Sequence, residues 1–200
     1  MLKLIEIRKS AADRLTRRIT VLLAKTPVSP DFLTWTGLWL TVVAGILVIY
    51  ENLLTAGIVV LFAGFFDMLD GALARLTERT TKFGAVLDST LDRLSEAILL
   101  LSIMIFFGRQ GSLTGMTLAG IAMIGSFLVS YVRARTEGIG IECKAGFFTR
   151  PERVIVLSLG LLLGKLDYAL ITALVVIIFF SFFTATQRLF RTWQQTKNIR

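Results

Sequence analysis

Four aspartates hold the densest chemistry in this chain. Asp67 and Asp70 stand three residues apart and Asp88 and Asp92 four apart, so each pair shares one face of a helix. Brought face to face across a short turn, the two pairs form an all-oxygen, strongly anionic cage. Such a cage suits hard divalent cations such as Mg²⁺ or Mn²⁺. The rest of the composition leaves few competitors. With no histidine there is no serine triad, no histidine-bound zinc and no proton switch near neutral pH. The single cysteine, Cys143, excludes an internal disulfide and any multi-cysteine metal cluster. Carboxylates, lysines, arginines and hydroxyls remain.

The elements that must position these acids are membrane helices. Of 200 residues 54% are apolar and only 18% charged, and the mean hydropathy is +0.73, too greasy for an ordinary soluble domain. A span needs ~20 apolar residues. Phe32 to Tyr50 reads as the first. The second, from Leu53 to Phe66, must carry Asp67 and the residues after it to reach across. The third, ending at Gly108, must begin near Phe83 and so contains Asp88, Asp92, Arg93 and Glu96. Gln110 to Val132 is the fourth. The apolar run from Val154 to Phe183 is too long for one span and breaks at Lys165-Leu166-Asp167, which predicts a hairpin of short fifth and sixth spans with Arg153 near the membrane surface. The expected fold is an all-α integral membrane protein of six transmembrane helices, residues 30–200, preceded by an interfacial segment, 1–29. No repeat, low-complexity tract or linker divides the chain, so it reads as one domain.

An Asp at the centre of a span costs about 2.5 to 3.5 kcal/mol on insertion scales, and four of them on the order of 10 kcal/mol. Something must neutralise them. Pairing with Arg75, Arg79, Lys82 or Arg93 at helix ends would account for one acid but not for four in paired register. Gly71, Ala74 and Gly84 also keep the helix surfaces small, which lets backbones and a ligand approach closely.

Most of the formal charge of +8 reads as orientation. The cations crowd the amino-terminal segment, the second-to-third and fourth-to-fifth connections and the tail, where Arg188 and Arg191 lie, while the opposite side carries only Arg109 and Lys165. By the positive-inside rule both termini and the acids face the cytoplasm of a cell membrane. The amino-terminal segment spaces Leu2, Leu4, Ile5, Ala11, Leu15, Ile19, Leu22 and Leu23 among basic residues, the pattern of a helix lying in the lipid interface. It lacks the uninterrupted apolar centre of a secretory signal. The cations thus read chiefly as topology, an anionic substrate being the other reading of a basic integral protein, and no nucleic-acid partner is expected.

The stretch DMLDGALARLTERTTKFGAVLDSTLD, Asp67 to Asp92, resembles the signature of the CDP-alcohol phosphotransferase family, D-x2-D-G-x2-A-R-x8-G-x3-D-x3-D, at every specified position. The six-span topology agrees with that family, so the resemblance covers nearly the whole chain. It implies a homodimeric membrane enzyme of phospholipid biosynthesis that moves a phosphatidyl or similar group from a CDP-linked lipid to an alcohol and releases CMP. By the resemblance, Asp67, Asp70, Asp88 and Asp92 bind metal, two Mg²⁺ or Mn²⁺ ions per site, and Asp92 is also the catalytic base. Gly71, Arg75 and Thr81, with Asp31, Phe32, Leu33 and Thr34 at the start of the first span, bind the CDP-lipid, CDP-diacylglycerol or a CDP-archaeol type. Relatives often have Asn where Asp31 stands, and a helix-capping role for Asp31 after Pro30 is an equal alternative.

The acceptor is written less clearly. Arg133 ends the fourth span and Arg153 begins the fifth, so two arginines could converge on one cavity and bind an acceptor that carries a phosphate. The strings SYVRAR, from Ser130, and RPER, from Arg150, resemble those of the phosphatidylinositol-phosphate synthases and their archaeal ether-lipid counterparts, which implies inositol 1-phosphate. Relatives often have Lys in place of Arg133. Phosphatidylglycerophosphate synthases, whose acceptor is glycerol 3-phosphate, are the alternative within the family. A divalent-cation transporter is the alternative outside it, although the first, fourth and sixth spans offer almost no polar path. Gly160-x3-Gly164 fits a close helix contact within one chain or between two, Gly138-Ile139-Gly140 reads as a turn, Cys143 as an incidental loop residue, and Trp35, Trp39 and Trp193 as interfacial anchors.

Overall fold

The computed structural model describes residues 18–78, 80–143, 146–166 and 168–197. Among them six helices stand out: α1 (Pro30–Ile49), α2 (Leu53–Leu76), α3 (Lys82–Arg109), α4 (Leu113–Gly138), α5 (Arg150–Leu162) and α6 (Ala169–Lys197). Residues 18–23 are also helical, while most of the expected interfacial segment lies outside the described residues.

Local chemistry sets the helix starts. Ser29 caps α1, its hydroxyl accepting the Phe32 N–H at 3.2 Å, with Pro30 in the first turn, so the capping role weighed for Asp31 belongs to Ser29. Thr81 caps α3 by accepting the Gly84 N–H at 2.9 Å. At α5 the Glu152 carboxylate accepts both the backbone N–H of Thr149, at 2.7 Å, and its hydroxyl, at 2.6 Å, closing a capping box. At the far end of the bundle Arg109 donates to the Ile49 carbonyl at 2.7 Å, satisfying the end of α1.

Four of these helices, α1, α2, α4 and α6, are long and apolar enough to cross a membrane. α3 has the length, at 28 residues, but carries Asp88, Asp92, Arg93 and Glu96. α5 has 13 residues, about 20 Å of helix, less than the ~30 Å hydrocarbon core. The expected hairpin is thus uneven: α5 stops at Leu162 and α6 runs on past Phe183 to Lys197. The reason is that α6 keeps a buried stripe beyond its apolar run, through Ser181, Thr184, Ala185 and Arg188.

α1 packs on α2 and α3, α2 on α5, α5 on α6, α6 on α4, and α4 on α3, so the helices close a ring. Its interior is filled by Ala44, Val48, Leu100, Ile103, Leu161, Leu174 and Ile177, each at most 1% exposed. Close packing is achieved with small residues. A Cβ at Gly160 would lie 2.6 Å from that of Ala173, and one at Gly164 would lie 2.6 Å from Leu53 Cδ1, so this glycine pair serves contacts within the chain.

Candidate active site

Antiparallel alternation brings Thr34 of α1, Asp67 of α2, Asp92 of α3, Arg133 of α4, Arg153 of α5 and Arg188 of α6 to one end of the ring, around connected cavities. The acids meet there as their spacing predicts. Asp67, Asp70 and Asp88 each offer an oxygen lying within 4.8 Å of the others. Asp70 is 5% exposed; its Oδ1 accepts the Gly71 N–H at 2.5 Å, while its buried Oδ2 has no hydrogen-bond partner. A buried carboxylate oxygen left without a donor is costly, and a hard divalent cation held among three carboxylates would satisfy it. The trio therefore fits a divalent ion on its own chemistry. Asp92 stands beside the trio, tied in by Arg150, whose Nη1 donates to Asp67 Oδ2 at 2.5 Å and lies 2.7 Å from Asp92 Oδ1.

One side of the acids opens to a cleft of about 180 Å³ lined by Asp31, Thr34, Gly71, Arg75, Thr81 and Gly84, and reaching Asp70 and Asp88. Five of the seven residues expected at the CDP-lipid meet here. Phe32 and Leu33 do not: Phe32 is 62% exposed and Leu33 is buried against Leu69 and Leu73. The cause is the helix itself, since Asp31 and Thr34, three apart, share a face that the two residues between them cannot. Gly71 belongs to this geometry because a Cβ there would sit 3.3 Å from Arg75 Nη1. Gly71→Ala is accordingly expected to displace the Arg75 fork and raise the KM for CDP-lipid about tenfold, or 1.4 kcal/mol, with little change in the KM for the acceptor. Initial rates with each substrate varied in turn would show it.

On the other side lies a cavity of about 430 Å³, lined by Asp88, Asp92, Arg133, Arg150, Arg153 and Arg188 among others. Here the two predicted arginines do share one space, in different ways. Arg133 sits near the surface and pairs with Glu137 at 2.9 Å within α4, a contact of small energetic weight. Arg153 is 2% exposed, enclosed among the helices. Its Nε and Nη2 donate to Glu96 Oε1 and Oε2 at 2.6 and 2.9 Å, and its buried Nη1 has no partner. The fork is thus gripped on one side and open on the other.

Three residues of this cavity were not singled out by sequence reasoning. Glu96, one turn after Asp92, grips Arg153. Arg150 bridges the acids. Arg188, expected to be an orientation charge of the tail, is 3% exposed and donates to the Val129 carbonyl at 2.7 Å. A Cβ at Gly146 would lie 2.7 Å from its Nη2, and the backbone there has φ +140°, a region that favours glycine, so glycine suits the crossing of Arg188 by the loop before α5. That loop is pinned to α6 by the Phe148 N–H, which donates to Thr184 Oγ1 at 3.2 Å. The signal for Arg188 lay in the spacing of Ile177, Ser181, Thr184 and Arg188, a helical stripe that continues into the tail.

The sequence profile of the family described as CDP-alcohol phosphatidyltransferase matches residues 27–194. An archaetidylinositol phosphate synthase of Methanothermobacter thermautotrophicus is 38% identical over 169 residues, 84% of each chain. A phosphatidylinositol phosphate synthase of Mycobacterium tuberculosis is 34% identical over an alignment of 203 positions, gaps included, that covers 96% of this chain and 92% of that one. Crystal structures of the mycobacterial enzyme superpose with TM-scores of 0.78 with CDP-DAG bound and 0.79 in complex with manganese and citrate. Both are 32% identical, covering 90% and 89% of this chain and 94% and 88% of theirs.

Proposed function

Because the chain belongs to the CDP-alcohol phosphatidyltransferase family, we propose that this transferase moves a phosphatidyl or ether-lipid equivalent from a CDP-lipid to a hydroxyl of inositol 1-phosphate, releasing CMP. The observation that carries the choice of a phosphorylated acceptor is the open Nη1 of buried Arg153 in a cavity that shares Asp88 and Asp92 with the acids. The names of the relatives, synthases of inositol phosphate lipids, support the same choice.

In this reading the cytidine diphosphate lies in the cleft of Asp31, Thr34, Gly71 and Thr81, with Arg75 on a phosphate oxygen. The acceptor phosphate is held by Arg153, Arg188 and Arg133. That leaves the acceptor hydroxyl between Asp92 and the diphosphate. Asp92 takes the hydroxyl proton, the oxygen bonds to the lipid-side phosphorus, the bond from that phosphorus to the bridging oxygen breaks, and CMP leaves. Asp67, Asp70 and Asp88, with Asp92 beside them, would hold two divalent ions, Mg²⁺ or Mn²⁺, which neutralise the diphosphate. The protein's part is placement and charge, as phosphoryl transfer requires.

The proposal includes six membrane crossings, with α3 and the short α5 completing the four more apolar helices, and a cytoplasmic active site. The crowding of cations at the site's end supports this orientation. It also includes a homodimer whose interface is not built on Gly160 and Gly164, already used within the chain.

Purified enzyme with CDP-lipid and Mg²⁺, offered inositol 1-phosphate, inositol, glycerol 3-phosphate and serine in parallel, tests the reading. Turnover is expected with inositol 1-phosphate. Turnover with free inositol or serine, and with neither phosphate, would refute a phosphate-binding role for the arginine cavity.

A further inference from the structure

Arg150 occupies a position that the proposed reaction needs cleared. One nitrogen, Nη1, approaches Asp67 Oδ2 at 2.5 Å and Asp92 Oδ1 at 2.7 Å, so a fixed positive charge already sits between two of the four acids. Its Nε is buried without a partner. The side chain also borders the 430 Å³ cavity in which Arg153 presents its open Nη1. The ion pair with Arg150 holds Asp92 Oδ1, an oxygen that the reaction would use to accept a proton, against a fixed positive charge.

We propose that Arg150 is a positioning residue for Asp92: an internal counter-cation that keeps Asp67 and Asp92 paired in the metal-free protein and transfers to the acceptor's phosphate when that anion enters the cavity. The proposal rests on the metal and acceptor roles assigned above. Its consequence is coupling. A divalent ion and a phosphorylated acceptor both draw on the same displacement, so each tightens the binding of the other by an equal factor. Asp92 is thereby freed most fully for proton transfer when ion and acceptor are bound together.

The test is Mn²⁺ binding to the purified, detergent-solubilised protein, followed by the loss of the free-ion EPR signal. Arg150→Met, which removes the charge and keeps most of the volume, is expected to bind Mn²⁺ about tenfold more tightly than the wild type, equivalent to 1.4 kcal/mol, with Arg150→Lys in between. A gain of affinity is a result that a merely structural arginine would not give. Inositol 1-phosphate should tighten Mn²⁺ binding in the wild type and do so less in Arg150→Met. Should Arg150→Met lose its cooperative thermal transition, Arg150→Lys alone carries the comparison. Unchanged or weaker Mn²⁺ binding in these variants overturns the role of Arg150. If Mn²⁺ binding is also indifferent to Asp70→Asn, the metal site itself is wrong, and the two failures are thus told apart.

Discussion

Asp92→Asn is expected to lower transfer about 10³-fold, the scale of a lost general base, while CDP-lipid binding is retained. The cleft proposed for the nucleotide is built from α1, α2 and the first turns of α3 and does not include Asp92, and the trio of Asp67, Asp70 and Asp88 remains whole. The amide is isosteric and keeps a contact to Arg150 through its carbonyl oxygen, so the fold should survive. Release of labelled CMP and equilibrium binding of labelled CDP-lipid, measured on the same preparation, separate the two effects. Joint loss of both would show that Asp92 acts as a metal ligand alone.

The second large effect concerns Arg153 and Glu96. Removing one partner of a buried ion pair leaves an uncompensated charge and costs about 3–5 kcal/mol, whereas replacing both by neutral groups of similar size is often neutral or stabilising. Arg153→Met is therefore expected to destabilise the protein strongly, because Glu96, whose side chain is 10% exposed, keeps its charge in the bundle. Adding Glu96→Gln should restore the thermal transition in detergent. It should not restore transfer to inositol 1-phosphate, because the open Nη1 proposed to bind the acceptor phosphate is gone. A double variant that regained both stability and activity would make the pair structural and remove Arg153 from acceptor binding.

What could be read in advance follows from physical constraint. In a bilayer the backbone must satisfy its own hydrogen bonds, so apolar runs are helices, and acids inside them are expensive enough to demand partners. The helices and the convergence of Asp67, Asp70 and Asp88 were legible for those reasons. Arg188 was not, because a tail rich in cations resembles an orientation signal, and only packing against Val129 and Gly146 distinguishes one arginine from the rest. The grip of Glu96 on Arg153 joins helices 57 positions apart, beyond the reach of any local pattern. Phe32 and Leu33 lie outside the cleft that Asp31 and Thr34 line for a reason that was available from the start: the side chains of four consecutive residues cannot all face one cleft when the run is helical. The uneven hairpin was half visible, since Lys165-Leu166-Asp167 marked the break but nothing apolar marked where α6 would end.

The ring of helices also has a history in time. The residues proposed to hold the nucleotide and the metal lie between residues 30 and 92, in three helices joined by short turns, whereas Arg150 reaches Asp67 across 83 positions. Loops that close over short stretches form early and cheaply, and long ones wait. As the chain leaves the ribosome, the donor half of the site can be assembled while α5 and α6 are still unmade, with its acids in place before their arginines arrive. The enzyme is thus born as an acidic half-site, and the last two helices turn it into one that accepts an anion.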